Sequence, residues 1–148
     1  MDYAALKTEI ETGPLASQCA GVTDEAIAAV LNRQDISAIQ ERWVTARTVL
    51  AELGATAGAA ILDKLQAASA SSSPVRWMMT FLAQDSGIDI GNAQTQASID
   101  GLVTAGVLTS AEGASLKNMA LKTCSRAQIA GFGTVSPGDV SRALRGPW

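Results

Sequence analysis

Apolar residues recur at intervals of three and four along most of the chain, the spacing of one face of a helix. Tyr3, Leu6 and Ile10 predict a short first helix over Asp2–Glu11. The longest apolar stripe predicts one helix opened by Asp35, and it comprises Ile36, Ile39, Trp43, Ala46, Leu50 and Leu53. A further stripe contains Trp77 and Phe81 in a helix over Pro74–Asp85. These stripes predict that Trp43, Trp77 and Phe81 pack in the core.

Capping signals indicate where several helices begin. Thr109 with Glu112, and Ser125 with Gln128, have the spacing of capping boxes, in which two side chains satisfy each other's free backbone N–H groups. Single N-caps are predicted at Thr23, Ser73, Asn92 and Ser136. Proline follows at once after Ser73 and after Ser136, which is typical of a first helical turn.

These elements predict an all-α protein, because signals for strands are nearly absent. We expect seven or eight short helices in a single compact bundle. At 148 residues, the chain is predicted to form one domain over residues 1–148, with residues 146–148 extended beyond the last helix. Its 27 alanines also favour closely packed helices.

Charge is sparse and unevenly distributed. Charged residues make up 17% of the chain, which suggests that a partner covers part of the surface. The net charge is −3, and the residues after Glu112 carry five cations against one anion. This basic end on an acidic body is compatible with head-to-tail contact between copies, with weak nucleic-acid contact, or with an ordinary solvated face.

No apolar run approaches the roughly 18 residues of a membrane span, and the acidic start does not resemble a signal peptide, so no membrane contact is expected. Cys19 and Cys124 are predicted to be buried free thiols.

Catalytic chemistry finds little support in the residue types. The chain has no histidine, which excludes Ser-His-Asp and Cys-His sites and HExxH zinc sites. Asp85 and Asp89 lie four residues apart, but the segment lacks the alternating acids and terminal glutamate of a calcium loop. We therefore predict no enzyme, no catalytic residue and no metal site.

A glycine-rich segment at residues 131–139 raises the question of a phosphate-binding loop. It has no lysine at the position that a P-loop requires, and Asp139 follows Gly138. A helix, and not a strand, is predicted before it, which disfavours a dinucleotide site. The segment is therefore interpreted as a turn between two helices, and no cofactor is predicted.

Both ends of the chain resemble a family of small helical proteins encoded among the virion structural genes of tailed bacteriophages. At the N-terminal end the resemblance lies in Tyr3-Ala-Ala-Leu-Lys7, Pro14-Leu15, Gly21-Val-Thr23-Asp24-Glu25 and Leu31-Asn32. At the C-terminal end it lies in Ser125-Arg-Ala127, Gly131-Phe-Gly133-Thr-Val135, Gly138-Asp-Val140 and Ala143-Leu-Arg145. Gln18-Cys19-Ala20 and Gln128-Ile129-Ala130 depart from the family pattern. Residues 35–120 are recognised only as helical.

The resemblance implies a multi-copy structural protein of the virion, made in the host cytoplasm before assembly. Its expected partners are its own copies and neighbouring tail, connector or capsid proteins. The predicted interface residues are Trp148, Arg142, Arg145, Arg126 and Tyr3. Trp148 is proposed as an aromatic anchor because it follows the last helix.

The alternative is an intracellular phage regulator or host-takeover protein. Residues 136–145 faintly resemble the second half of a helix-turn-helix, and Arg142 and Arg145 could meet phosphates. The acidic composition, with a pI near 4.8, disfavours nucleic acid as a partner.

Overall fold

A computed structural model describes residues 1–147 of the chain, and these form ten helices and four short strands. Helices account for 61% of the chain, so the predicted helical character is confirmed. The prediction of a purely all-α protein is wrong, because the strands form two small sheets. Packing as a single bundle stays a prediction. None of the helices within residues 1–147 is long and apolar enough to cross a membrane.

The helices follow one another with short connections. Their bounds are α1 Tyr3–Thr12, α2 Ala16–Cys19, α3 Asp24–Asn32, α4 Ala46–Leu53, α5 Ala55–Ser69, α6 Ser73–Leu82, α7 Ala93–Thr104, α8 Ser110–Asn118, α9 Arg126–Ile129 and α10 Pro137–Arg145. The strands are β1 Ile36–Ile39, β2 Trp43–Val44, β3 Ile88–Asp89 and β4 Leu121–Cys124.

The strands replace the first half of the predicted long helix. β1 pairs with β4, and β2 pairs antiparallel with β3, with Trp43 opposite Asp89 and Val44 opposite Ile88. The helix begins only at Ala46, where Thr45 caps it and forms a capping box with Thr48. The single helix predicted from Asp35 is therefore wrong over residues 36–44.

The chain divides into two compact units by its internal contacts. We call the first the terminal unit, which consists of Met1–Ala38 and the C-terminal residues from Thr123 onward. The second is the central unit, Ile39–Lys122. The predicted single domain over residues 1–148 stays a prediction.

The terminal unit buries a core between helices from both ends of the sequence. α1 packs against α10, and α3 packs against α9 and α10. The buried side chains of this core are Leu6, Ile10, Cys19, Ile27, Ala28, Leu31, Ala127, Val135, Val140 and Ala143. Cys19 and Cys124 are both buried thiols and do not form a disulfide, as predicted.

Asn32 holds the loop that leads into α10. Its Nδ2 donates to the carbonyl of Val135 at 2.6 Å, and the Val135 N–H donates back to Asn32 Oδ1 at 3.0 Å. An asparagine side chain can satisfy a backbone donor and a backbone acceptor at once, as a paired strand would. The last residue of α3 thereby links the two halves of the terminal unit's sequence.

The glycine-rich segment turns the chain, as the sequence predicted. Gly131 has a φ of +80°, and the N–H of Phe132 reaches the carbonyl of Ala127 at 2.8 Å. The Gly131 N–H also donates to Gln128, which completes a Schellman end to α9. Ser136 then caps α10 and forms a capping box with Asp139. The glycines therefore serve the turn between two helices.

The central unit packs α4 against α5, α5 against α6, and α7 against α8. Its buried apolar residues come from all five helices and from the segments between them: Val44, Val49, Ile61, Leu65, Val75, Leu82, Ile90, Ile99, Leu102, Leu108, Leu116, Met119 and Ala120. The tryptophans and the phenylalanine are not among them.

An ion pair joins α5 to the start of α8. Lys64 Nζ donates to both carboxylate oxygens of Glu112, at 2.7 and 2.8 Å. The same carboxylate accepts the N–H of Thr109 as part of the predicted capping box. The hydrogen bond from Lys64, followed by that from Thr109, lowers the pKa of Glu112 from 4.5 to about 2.

Protonation of Glu112 is expected to lower the free energy of unfolding as the pH falls from about 4.5 to about 2. Because the folded pKa of Glu112 is depressed, its stabilising effect is complete above pH 4.5 and is lost as the pH falls toward 2. Urea unfolding across this window should show a steeper loss of stability for the natural chain than for Glu112→Gln. Lys64→Met should flatten the curve in part, because the Thr109 N–H still lowers the pKa of Glu112. Parallel curves for all three chains would contradict the assignment.

Candidate interaction surfaces

Three large aromatic side chains of the central unit lie on its surface. Trp43 is 58% exposed, Trp77 is 61% exposed and Phe81 is 43% exposed. The prediction that they pack in the core is therefore wrong. Such exposure is unusual for large aromatics, which dominate core and interface energetics when they are buried. We call Trp43, Trp77 and Phe81 the aromatic surface.

Local structure explains why these side chains face outward. In β2 the side chains alternate, so burial of Val44 places Trp43 on the opposite, exposed side. In α6 the residues that face the core are Val75 and Leu82. Trp77 and Phe81 lie four residues apart, on a face that the core does not use, and their rings stack with centroids 6.3 Å apart.

A groove opens beside part of this surface. It has a volume of about 530 Å³ and is lined by Trp43 and Phe81 together with polar residues of the segment between α6 and α7 and of the first turn of α7. The polar side chains on its walls are Gln84, Ser86, Asp89, Asn92 and Thr95. We call this the aromatic groove. Trp77 does not line it.

Two polar residues position the walls of the groove. The indole N–H of Trp43 donates to Glu41 Oε1 at 2.8 Å, which fixes one edge of the ring. Asp89 Oδ1 accepts the backbone N–H groups of Arg42 and Gly91, each at 2.9 Å. Both backbone donors bind the same oxygen, so Asp89 Oδ2 is not used in holding this turn.

In the sequence, Asp89 is related by spacing only to Asp85, in a segment that lacks the ligands of a calcium loop. In the structure it pairs with Trp43 across two strands, which no local pattern indicates. Among residues 1–147, no group of three or more histidine, cysteine or acidic side chains is placed to hold a metal ion. The site combines the aromatic residues Trp43 and Phe81 with the acidic residue Asp89.

The predicted interface residues that the structure describes lie in the terminal unit and contact that unit's own residues. Arg126 binds both carboxylate oxygens of Glu9, at 2.6 and 2.9 Å, and this hydrogen bonding raises the pKa of Arg126. Arg145 binds both oxygens of Asp24, each at 2.9 Å. Trp148 lies outside the described residues.

Tyr3 of α1 and Arg142 of α10 are brought together in the terminal unit. The Tyr3 hydroxyl donates to Asp139 Oδ1 and accepts a hydrogen bond from Arg142 Nη1, both at 3.2 Å. Hydrogen bonds from Ser136, with smaller contributions from Tyr3 and Arg142, lower the pKa of Asp139. These contacts connect α1 to α10, so each of the four predicted side chains has a role inside the fold.

A scan against protein-family models and searches of curated proteins and of solved structures returned no match for this chain.

Proposed function

We propose that this chain is a non-enzymatic structural protein of a tailed bacteriophage particle, present in several copies. It assembles with itself and with neighbouring tail, connector or capsid proteins, first in the host cytoplasm and finally in the virion. The proposal draws its biological setting from the two sequence blocks that resemble virion proteins. The aromatic surface supplies a means of contact with a neighbour.

The observation that carries the proposal is the exposure of Trp43, Trp77 and Phe81 on one unit. Tryptophan is among the residues that contribute most to binding energy when a partner covers it, and aromatic residues are enriched at interfaces. Burial of such rings also removes a large apolar area from water. Assembly would thus use shape and burial, with no chemical step.

The contacts of Arg142 and Arg145 within the chain weigh against the alternative of a DNA-binding regulator. Arg145 binds Asp24 with both of its terminal nitrogens, and Arg142 contacts Tyr3 beside Asp139. A phosphate would have to compete with these groups of the chain itself. These contacts favour a role for Arg142 and Arg145 in attaching α10 to α1 and α3 over a role in nucleic-acid contact.

Peptide mass spectrometry of purified, nuclease-treated particles tests the proposal, with copy number measured relative to known virion proteins. We expect several copies of this chain in each particle. A chain carrying both Trp43→Ala and Phe81→Ala should be incorporated less, whereas Val22→Ala, which alters an exposed apolar residue of the terminal unit, should not. Absence of the natural chain from particles, with abundant protein in infected cells, would overturn the proposal in favour of the intracellular regulator.

A further inference from the structure

We propose that the aromatic groove binds an arginine side chain presented by a partner protein. The inference rests on the proposed function, because it treats the groove as an assembly surface. It goes further in naming the chemistry of the group that enters. The inference is carried by one juxtaposition: Asp89 lines the same groove as Trp43 and Phe81, whose rings are exposed.

The aromatic walls favour a cation. The face of an indole or phenyl ring carries negative charge from its π electrons and attracts a guanidinium or an ammonium. Tryptophan is the strongest of the aromatic residues in this respect. The hydrogen bond from the Trp43 indole to the carboxylate of Glu41 places a further negative charge beside the ring.

The charged residue that lines the groove is an acid. Asp89 lines it, and among residues 1–147 no lysine or arginine does. Arg42, the neighbour of Trp43 in sequence, donates its guanidinium N–H groups to the Met119 carbonyl and to Glu52 instead. A partner group with a positive charge is therefore complementary to the groove, whereas an acidic one would be repelled.

Asp89 is prepared to receive such a group. Its Oδ1 is held by the N–H groups of Arg42 and Gly91, so the carboxylate keeps its orientation without a bound partner. Its Oδ2 takes no part in those two bonds and is the acceptor that an incoming donor would use. Holding a charged acceptor in place beforehand reduces the entropy lost on binding.

Arginine fits this arrangement better than lysine. A guanidinium is planar, so it can stack on a ring while its edge donates several hydrogen bonds. Gln84 and Ser86 also line the groove, and the side chains of both residues contain an oxygen that can accept a hydrogen bond. An ammonium would be a point charge with a stronger hydration shell and could not stack in this way.

A titration followed by NMR tests the inference on the full chain. The probe is the peptide acetyl-Gly-Arg-Gly-amide, with the same peptide carrying citrulline as its neutral isostere and a lysine peptide as the alternative cation. The readout is the indole N–H resonance of Trp43, assigned with Trp43→Phe. We expect a saturable shift with the arginine peptide and an affinity about fivefold or more weaker with citrulline.

Two matched variants locate the charge. Asp89→Asn removes the charge but keeps an oxygen for the N–H groups of Arg42 and Gly91, and it should weaken binding of the arginine peptide about fivefold. Asp85→Asn makes the same charge change at an exposed residue that does not line the groove, and it should leave binding within about twofold. Phe81→Leu, which removes a ring and keeps an apolar side chain, should also weaken binding.

Several results would overturn the inference. One is that the citrulline peptide binds as tightly as the arginine peptide. Another is that Asp85→Asn and Asp89→Asn weaken binding of the arginine peptide equally. The third is that the Trp43 indole resonance shows no saturable shift. A shift that depends on protein concentration without any peptide would make a second copy the occupant. Peptide binding by a chain that is absent from particles would reject the proposed function alone, and a particle protein that binds no peptide would reject this inference alone.

Discussion

Gly91→Ala is expected to destabilise the protein by about 3 kcal/mol, at the upper end of the cost of overpacking. A methyl group at this position would lie 1.9 Å from the carbonyl oxygen of Gln40 and 2.6 Å from its carbon. Both atoms belong to the backbone, so a side-chain rotation cannot relieve the contact. Relief requires the segment after β3 to move away from the segment before β2, which would disturb the Asp89 turn and the groove.

Gly101→Ala provides the matched control, because it makes the same chemical change inside α7. Nothing lies within 4 Å of a methyl group placed there. Alanine restricts the unfolded chain more than glycine, so this variant should be more stable by about 0.5 to 1 kcal/mol. Urea unfolding monitored by circular dichroism measures both variants. Equal effects of the two substitutions would show that the contact between Gly91 and Gln40 does not constrain the fold.

Helix starts were the part of the fold that the sequence predicted best. The capping boxes at Thr109 and Ser125 are both present, and Thr23, Asn92 and Ser136 accept backbone N–H groups at their helix starts. These signals depend on side chains within three residues of the backbone they satisfy, so local sequence is sufficient. At α6 the N-cap position is Ser72, one residue before the predicted Ser73, and its side chain makes no capping hydrogen bond.

The strands could not be predicted because their partners are distant. β1 pairs with β4, whose residues follow it by more than eighty positions. β2 has only two residues, so its alternation cannot be distinguished from one turn of an apolar helical stripe. The spacing of Ile36, Ile39 and Trp43 satisfies a helical period as well, and tertiary pairing decided between the two.

The aromatic groove was missed for the same physical reason. An apolar stripe indicates which residues can share a face, but it does not state whether the protein covers that face with its own core. Trp77 and Phe81 share a face of α6, while Val75 and Leu82 supply the buried one. Asp89 reaches the site only through its pairing with Trp43. The interface candidates Arg126 and Arg145 could be found from charge, yet their acidic partners, Glu9 in α1 and Asp24 in α3, could not.

Those partners show how the terminal unit depends on both ends of the chain. Its core combines Leu6 and Leu31 from the first 38 residues with Val135, Val140 and Ala143 from the last 26. Neither segment can bury its apolar face alone. Closing the long intervening stretch costs entropy, which the packing of this core must offset.

Leu31→Ala is therefore expected to destabilise the protein by about 2 to 5 kcal/mol. Leu31 is 0% exposed, at the point where α3 meets α9 and α10, so its loss leaves a cavity among helices from both ends of the chain. Domains are typically stable by only about 5 to 15 kcal/mol, so this single change removes a large part of the total. Urea unfolding gives the magnitude, and amide hydrogen exchange should show reduced protection in α1, α3 and α10.

Val22→Ala, at a residue of the same unit that is 44% exposed, should change stability by less than about 0.5 kcal/mol. Similar values for the two variants would mean that the two end segments do not share the core described for them.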